Sequence, residues 1–395
     1  MEHRDDDKKT VIELKKSGEL YMGHHDDGKT MVIELKKDAD TQNKEDDITL
    51  THSSLFPVKP KKASFFRNPS FLAAVLLLLL VVAVFLLVSS IGEKHPPQET
   101  TTGDTTENTD QPTVPAGAFY VTGLSEAARV TNDINSNYAL LAEADSLIAV
   151  AAKNGNEKMY PASLTKIMTF LVAYDCLSEA LDKQLALTGE IKSQYPEGSR
   201  IGIDEGDLLT VEQCMYAMLL ESDTDAVMML VLEATGNEAA FAELMNQKAQ
   251  ELGLMKTHFT NANGLHHDNH YSTPVEMAVI FAKALQNELF HKIITTETYV
   301  TYLGYYKDGA YTTYRMTFSN STLVKRFKGN SISTELSNGI TVIGGKTGFT
   351  DEAANCQAAL AVDENGKEYI AILGYAPSAK VSASDTAYLY RNYLK

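Results

Sequence analysis

The sequence predicts a mixed α/β domain, a sheet with helices on its faces and an inserted helical subdomain, preceded by one transmembrane helix. Two observations carry this prediction. Strand patterns lie at both ends of residues 118–395 while helical patterns fill the middle, and an unbroken apolar run covers 71–88. Helices segregated between an early hairpin and late strands are typical of a sheet with an inserted helical unit.

Residues 1–69 form a polar and charged tail that contains an imperfect duplication. KKTVIELKK at 8–16 returns as GKTMVIELKK at 28–37. Neither copy has enough apolar surface to bury by itself, so we expect a mostly disordered, acidic, cytoplasmic tail. The net charge of the whole chain is −17, which argues against nucleic-acid binding.

The apolar run at 71–88 is eighteen residues long, enough to cross a hydrocarbon core of about 30 Å. A signal peptide is the alternative, but its apolar region is shorter and its leader does not run to 70 residues. Lysines and an arginine precede the run, whereas an acidic, Thr-rich tract follows it. By the positive-inside rule, the sequence predicts a single-pass anchor at 70–91 with the C-terminal part extracytoplasmic.

Residues 92–117 are rich in Thr, Pro and acidic residues and predict an extracytoplasmic linker. The remaining region, 118–395, has a normal size for one catalytic domain. Its three cysteines cannot all pair with one another, and their apolar or small-residue surroundings predict buried free thiols.

Local signals predict the elements of this domain. TVEQ at 210–213 has the form of a capping box, and Gly236 is a helix stop. Asn365–Gly366 is a hairpin turn signal between two apolar alternating runs. In chain order we expect a hairpin over 137–155, helices over 162–175, from 210 towards 220, over 224–236, 237–253 and 273–287, strands over 339–349 and 357–376, and a helix over 383–394.

PASLTKIMTF at 161–170 combines a serine and a lysine with an apolar stripe. Ser163 and Lys166 lie one helical turn apart on the flank of that stripe. A partly desolvated lysine has a lowered pKa and can take a proton from a neighbouring hydroxyl. Ser-x-x-Lys also arises by chance, so this spacing alone does not decide between catalysis and coincidence. The stripe, which predicts a core-facing side, consists of Leu164, Ile167, Met168, Leu171 and Val172.

Two further motifs follow along the chain. ESDTD at 221–225 lies at a break between helices, where an N-cap role would suffice for Asp223 or Thr224. GGKTGFTD at 344–351 follows a strand, and its last glycine allows another backbone to approach closely. Such an edge could bind a peptide by strand addition, although a glycine-rich turn explains the same residues.

In this order, Ser-x-x-Lys at 163–166, a serine-led triplet at 222–224 and Lys-Thr-Gly at 346–348 resemble the serine penicillin-recognising enzymes. The resemblance is closer to the low-molecular-weight penicillin-binding proteins, the serine-type D-alanyl-D-alanine carboxypeptidases. It runs from about 137 to 375, and the segments that carry it are PASLTKIMT, EGDLLTVEQCMYAMLLESDTDAV, NANGLHHDNHYSTPVEMA and GGKTGFTDEAANC. It implies a β-lactamase/transpeptidase-like fold with the active site between the sheet and the helical subdomain.

The resemblance implies an acyl-enzyme mechanism on peptidoglycan stem peptides ending in D-Ala-D-Ala. Ser163 would be the nucleophile, Lys166 its general base, and Ser222 the relay of a proton to the leaving amine. The backbone N–H groups of Ser163 and Phe349 would form the oxyanion hole. β-Lactam antibiotics would bind covalently at Ser163, and no cofactor is implied.

The same resemblance assigns substrate binding to the other two motifs. Lys346, Thr347 and Gly348 would hold the substrate, with the terminal carboxylate on the lysine and the threonine. Thr224 stands where the family has asparagine, so one hydrogen-bonding amide is replaced by a hydroxyl. The cluster HHDNH at 266–270 could bind a metal, but it also fits the family segment without one, and we expect no metal.

Two alternative functions remain open at the level of the sequence. A β-lactamase would share the three motifs, but ELMN at 243–246 is a poor match to the carboxylate segment that deacylation of the drug requires. A catalytically weak wall-binding or scaffolding protein is the other alternative, and Thr224 together with the cytoplasmic tail motivates it.

Overall fold

The computed structural model of the protein describes residues 120–194 and 198–394, with the side chain of Gln194 excluded. The predicted tail, anchor and linker lie outside the described residues. Within the described part, none of the helices is both long and apolar enough to cross a membrane. Two sheets and a set of α-helices in these residues confirm the mixed α/β class.

The described secondary structure begins at β1 and ends with a long helix. The strands are β1 (Ala128–Arg129), β2 (Tyr138–Glu143), β3 (Ala149–Lys153), β4 (Gln184–Ala186), β5 (Leu208–Thr210), β6 (Thr298–Lys307), β7 (Ala310–Ser319), β8 (Thr341–Thr350), β9 (Ala354–Val362) and β10 (Glu368–Ala376). The α-helices are α1 (Thr165–Leu177), α2 (Gly189–Gln194), α3 (Val211–Tyr216), α4 (Thr224–Thr235), α5 (Glu238–Glu251), α6 (Pro274–Leu285), α7 (Glu288–Thr295) and α8 (Ala379–Tyr393).

The larger sheet has six strands in the order β1-β3-β2-β10-β9-β8. Its strands pair antiparallel except β1 with β3. α8 packs against β9 and β10, while α6 packs against β10 and β2 from within the helical core. The central strands are buried on both faces and read as continuous apolar runs. β8, which carries the Lys-Thr-Gly motif, stands last in the strand order and is therefore an end strand of this sheet.

The predicted helices exist, with differences at their ends. The capping box at Thr210 is present, since Thr210 and Gln213 each accept from the other's backbone N–H. The helix predicted to continue towards Leu220 changes at Tyr216 into a π-helical turn, Ala217–Glu221. α4 ends at Gly236, which has a φ of 78° as the sequence predicts for a helix stop.

A second, four-stranded sheet of order β4-β5-β6-β7 was missing from the sequence prediction. Its long ribbon, β6 and β7, is rich in Tyr and Thr and turns at Asp308–Gly309. Both turn residues have positive φ, 50° and 78°, which is the geometry of a tight hairpin turn. An Asp-Gly pair between two runs rich in Tyr and Thr is a hairpin signal, so the sequence alone could have predicted this ribbon.

The cysteine prediction is wrong for one of the three residues. Cys214 and Cys356 are buried free thiols, as expected, but Cys176 is exposed. Cys176 lies near the end of α1, where the helix leaves the core and its neighbour Asp175 is also exposed.

Candidate active site

Ser163 lies in a short 3-10 turn, Ala162–Leu164, directly before α1. Ala162 adopts a positive φ of 48°, unusual for a residue with a side chain. Its carbonyl packs against Gly264, where an added Cβ would lie 2.0 Å from Ala162 O. Gly264 therefore has to be glycine for the turn to keep this shape, and the shape leaves Ser163 half-buried at the start of the helix.

The Ser163 turn lies against the Lys-Thr-Gly strand. A Cβ added to Gly348 would be 3.0 Å from Ser163 N and 3.1 Å from Ala162 Cβ. The close backbone approach predicted for this glycine is thus made by the turn that carries the serine. It places the N–H of Ser163 beside the residue that precedes Phe349, so both groups assigned to the oxyanion hole lie on adjoining segments.

Lys166 is fully enclosed, with 2% of its surface exposed. Its Nζ lies 3.1 Å from Ser163 Oγ and donates to Asn263 O at 2.7 Å. Burial lowers the pKa of Lys166 to about 7, against an opposing effect of the Asp223 carboxylate. A substantial fraction of this amine is therefore uncharged near neutral pH and can accept the Ser163 proton.

Lys346 is a second buried lysine, and its Nζ donates to Thr347 O at 2.7 Å. Burial lowers its pKa well below the ordinary value, and the positive charges of Lys166 and Arg326 lower it further. Lys166 and Lys346 are thus close enough for the charge of one to act on the other. Both burial and the nearby positive charges therefore favour the neutral form of Lys346.

Ser222 follows the π-helical turn and has a left-handed backbone, with a φ of 65°. Its hydroxyl is buried and has no hydrogen-bond partner among the described residues. Asp223, the next residue, caps α4 by accepting from Ala226 N at 2.7 Å and also accepts from Ile201 N at 3.0 Å. The N-cap role expected for Asp223 is therefore confirmed. The same turn carries the Ser222 hydroxyl, which is free of hydrogen bonds to the described residues.

Thr224 is buried beneath the segment that begins at Gly198. Its N–H donates to Ser199 O at 2.9 Å, and a Cβ added to Gly198 would lie 2.4 Å from Thr224 Oγ1. The threonine side chain therefore contacts the backbone of that segment. Its assignment to substrate binding stays a prediction.

Sequence reasoning missed Arg326, which lies on a π-helix, Ser321–Phe327, next to β8. Its Nη2 donates to Gly348 O at 3.1 Å, and its Nη1 is buried without a partner among the described residues. No carboxylate in the described part of the chain pairs with this guanidinium. At the other end of the π-helix, Ser321 Oγ accepts from Thr347 Oγ1 at 2.9 Å.

Among the histidines of 266–270, His270 contacts the start of α1. His270 is buried, lies 2.7 Å from Thr165 Oγ1 through Nε2, and accepts from Thr260 N through Nδ1 at 3.2 Å. Burial lowers the pKa of His270 to about 3, so the ring is neutral and supports the start of α1. In the described residues no group of three or more His, Cys, Asp or Glu side chains is arranged to hold a metal ion.

Comparison with known proteins gives a family match that includes all three motifs. The profile of the peptidase S11 family, described as D-alanyl-D-alanine carboxypeptidase, matches residues 125–376. The chain belongs to the D-alanyl-D-alanine carboxypeptidase family. The resemblance drawn from the three motifs is thereby confirmed, and membership of this family favours the carboxypeptidase interpretation over the β-lactamase and scaffolding alternatives.

Curated members of the D-alanyl-D-alanine carboxypeptidase family share about a quarter to a third of their residues with this chain. DacF of Bacillus subtilis is 31% identical over 256 residues, which are 64% of this chain and 60% of that protein. DacA of Haemophilus influenzae is 27% identical over 62% of this chain and 58% of its own length. The chain thus spans about three fifths of the length of these two relatives.

Solved structures of the family have the same fold. A variant of the Streptomyces K15 DD-transpeptidase superposes with a TM-score of 0.59 at 26% identity, covering 66% of this chain and 97% of its own. Penicillin-binding protein 5 of Haemophilus influenzae gives a TM-score of 0.54 at 24% identity over 66% of this chain and 72% of its own, a likeness of fold alone.

Proposed function

We infer that this protein is a serine-type D-alanyl-D-alanine carboxypeptidase that trims peptidoglycan stem peptides through a Ser163 acyl-enzyme. One observation carries the proposal: the buried amine of Lys166 lies 3.1 Å from Ser163 Oγ, and its pKa is about 7. That pairing supplies a base matched to neutral pH and in reach of a hydroxyl.

In the proposed reaction, Ser163 Oγ attacks the carbonyl carbon of the penultimate D-alanine while its proton passes to Lys166. The new ester forms as the C–N bond to the terminal D-alanine breaks, and the leaving amine takes up that proton through Ser222. Water then hydrolyses the ester, which releases the shortened peptide and restores Ser163. The N–H groups of Ser163 and Phe349 would stabilise the oxyanion in both steps.

A free carboxylate on the substrate matches the cations around β8. Among the residues that the structure describes, buried Lys346 donates only to a carbonyl, and Arg326, 7% exposed, has one buried nitrogen without a partner. Buried cations are costly unless an anion compensates them. A carboxylate bound there would favour the charged form of Lys346, and that charge would help to keep Lys166 neutral.

The test of this substrate class is a matched pair of peptides. A peptide ending in D-Ala-D-Ala and its C-terminal amide differ in one charge, and we expect kcat/KM to fall by roughly ten- to a hundredfold for the amide, the value of a hydrogen bond to a charged group. Release of D-alanine or D-alaninamide is the measurement. Equal rates for the two peptides would contradict a carboxylate-recognising site.

We further infer that the enzyme is a single-pass membrane protein whose catalytic domain lies outside the cell, where peptidoglycan is. The support is the 71–88 apolar run and the basic residues before it. Protease added to intact wall-stripped cells is expected to cut within 92–117 and release a soluble fragment that binds penicillin. A fragment fully protected from protease would speak against this orientation.

A further inference from the structure

Glu221, the residue directly before Ser222, joins two segments that are distant in the sequence. Its carboxylate accepts from Ser319 N at 2.7 Å and from Lys325 Nζ at 2.6 Å. The Glu221 side chain is 10% exposed, whereas that of Lys325 is 59% exposed. One partly desolvated carboxylate thus holds both the end of β7 and the π-helix that follows it.

That π-helix, Ser321–Phe327, is also the segment that touches the Lys-Thr-Gly strand. Ser321 contacts Thr347 at its first turn, and Arg326 contacts Gly348 at its last. Lys325 lies next to Arg326 and points to Glu221 instead. The π-helix therefore connects the turn that carries Ser222 with the strand that carries the proposed carboxylate site.

The position of the Ser222 hydroxyl depends on its backbone. Its Oγ has no side-chain or backbone partner among the described residues, and the residue adopts a left-handed conformation that a non-glycine residue takes only when its surroundings impose it. The Ser222 N–H donates to Ala217 O, inside the same π-helical turn. Glu221 is the last residue of this turn, and its contacts with Ser319 and Lys325 link the turn to the segment that precedes β8.

We propose that Glu221 and Lys325 form a clasp that positions Ser222 for proton transfer by holding its turn at a fixed distance from the Lys-Thr-Gly strand. The proposal rests on the proposed function, because Ser222 is the proton relay to the leaving amine in that reaction. Glu221 and Lys325 are positioning residues and touch no reacting atom. The Glu221 carboxylate makes one hydrogen bond to Ser319 N and one to Lys325 Nζ. Together these bonds fix its orientation, which a single bond would not do.

Two single variants remove the clasp in different ways. Glu221→Gln keeps the shape and can still accept from Ser319 N, but it loses the charge that binds Lys325. Lys325→Met removes the cation and keeps most of the side-chain stem. We expect each to slow D-alanine release from a D-Ala-D-Ala peptide by roughly tenfold or more, the scale of a small misplacement of a reacting group, and the double variant to be no slower than the slower single variant.

The chain offers a matched control. Lys328 lies shortly after Lys325 and pairs with Glu297 at 2.6 Å, with side chains 52% and 49% exposed. In the described residues its side chain makes no hydrogen bond or ion pair with the three motifs. Lys328→Met is expected to leave the rate within about twofold, as for an exposed ion pair. Melting temperatures of all variants show whether any slow variant has simply lost its fold.

The decisive measurement is made in a Ser222→Ala background. If Glu221 acts through Ser222, Glu221→Gln should change the rate of Ser222→Ala by less than about twofold. Three results would overturn the clasp. They are a full tenfold loss in the Ser222→Ala background, an unchanged rate in the single variants, and a loss for Lys328→Met equal to that of the clasp variants. Penicillin labelling of the parent protein at Ser163 is read separately, so failure of the clasp and failure of the proposed function are distinguishable.

Discussion

Ser163→Ala is expected to abolish covalent labelling of the protein by penicillin. Acylation needs a nucleophilic oxygen beside Lys166, and the geometry gives that position to Ser163 at 3.1 Å. Removing the hydroxyl leaves Lys166 with its bond to Asn263 O at 2.7 Å. The net loss of stability should therefore be about 1 kcal/mol or less, the worth of an ordinary hydrogen bond.

The measurement is intact-protein mass spectrometry after exposure to penicillin, followed by peptide mapping. The parent should gain one drug mass on the peptide that contains Ser163, and the alanine variant should gain none. Ser125→Ala removes an exposed hydroxyl whose only hydrogen bond within the described part of the chain is to its neighbour Glu126, and it should label like the parent. An adduct that persists in Ser163→Ala would disprove the assignment of the nucleophile.

Lys166→Met is expected to slow acylation by penicillin about 10²–10⁴-fold, the usual contribution of a positioned general base. Methionine fills similar space without a nitrogen, so it can accept no proton from Ser163. Methionine removes an unfavourable buried amine but leaves Asn263 O without its donor, and because these two effects oppose each other the melting temperature should change little. A variant that acylates at the parental rate would exclude Lys166 as the base.

The parent protein should show the titration of this base. The pKa of Lys166 is about 7. Below that pH the fraction of neutral amine falls about tenfold per pH unit, so the acylation rate should fall by the same factor and should level off above the pKa. The sign follows from the role, since only the deprotonated lysine accepts a proton. A rate that is flat from about pH 5 to 9, or that falls as pH rises through 7, would contradict the mechanism.

Sequence patterns predicted those parts of the site that depend on local spacing. The helix predicted over 162–175 begins at Thr165, so Ser163 lies in the 3-10 turn before it and Lys166 in its first turn. The two residues are still three positions apart, and this local spacing brings them into contact. The glycine at 348 was expected to permit a close backbone approach, and the structure shows the approach from the Ser163 turn. The hairpin at β9 and β10 follows in the same way from the turn at Asn365–Gly366.

Other parts of the site depend on contacts between distant segments. Arg326 is a basic residue in a polar stretch of the sequence, and its burial arises from the π-helix that brings it to Gly348. Glu221 meets Lys325 across a separation of 104 residues. No periodicity encodes these pairings, because tertiary packing decides them.

The strand that carries Lys346 and Thr347 is also the last strand of its sheet. An end strand exposes main-chain donors and acceptors that can pair with another chain, and proteins usually cover or charge such an edge. An enzyme that binds an extended peptide along this edge has to keep it accessible. A bound peptide would add a strand to the sheet there, so occupancy of the site would also remove a template for self-association and aggregation.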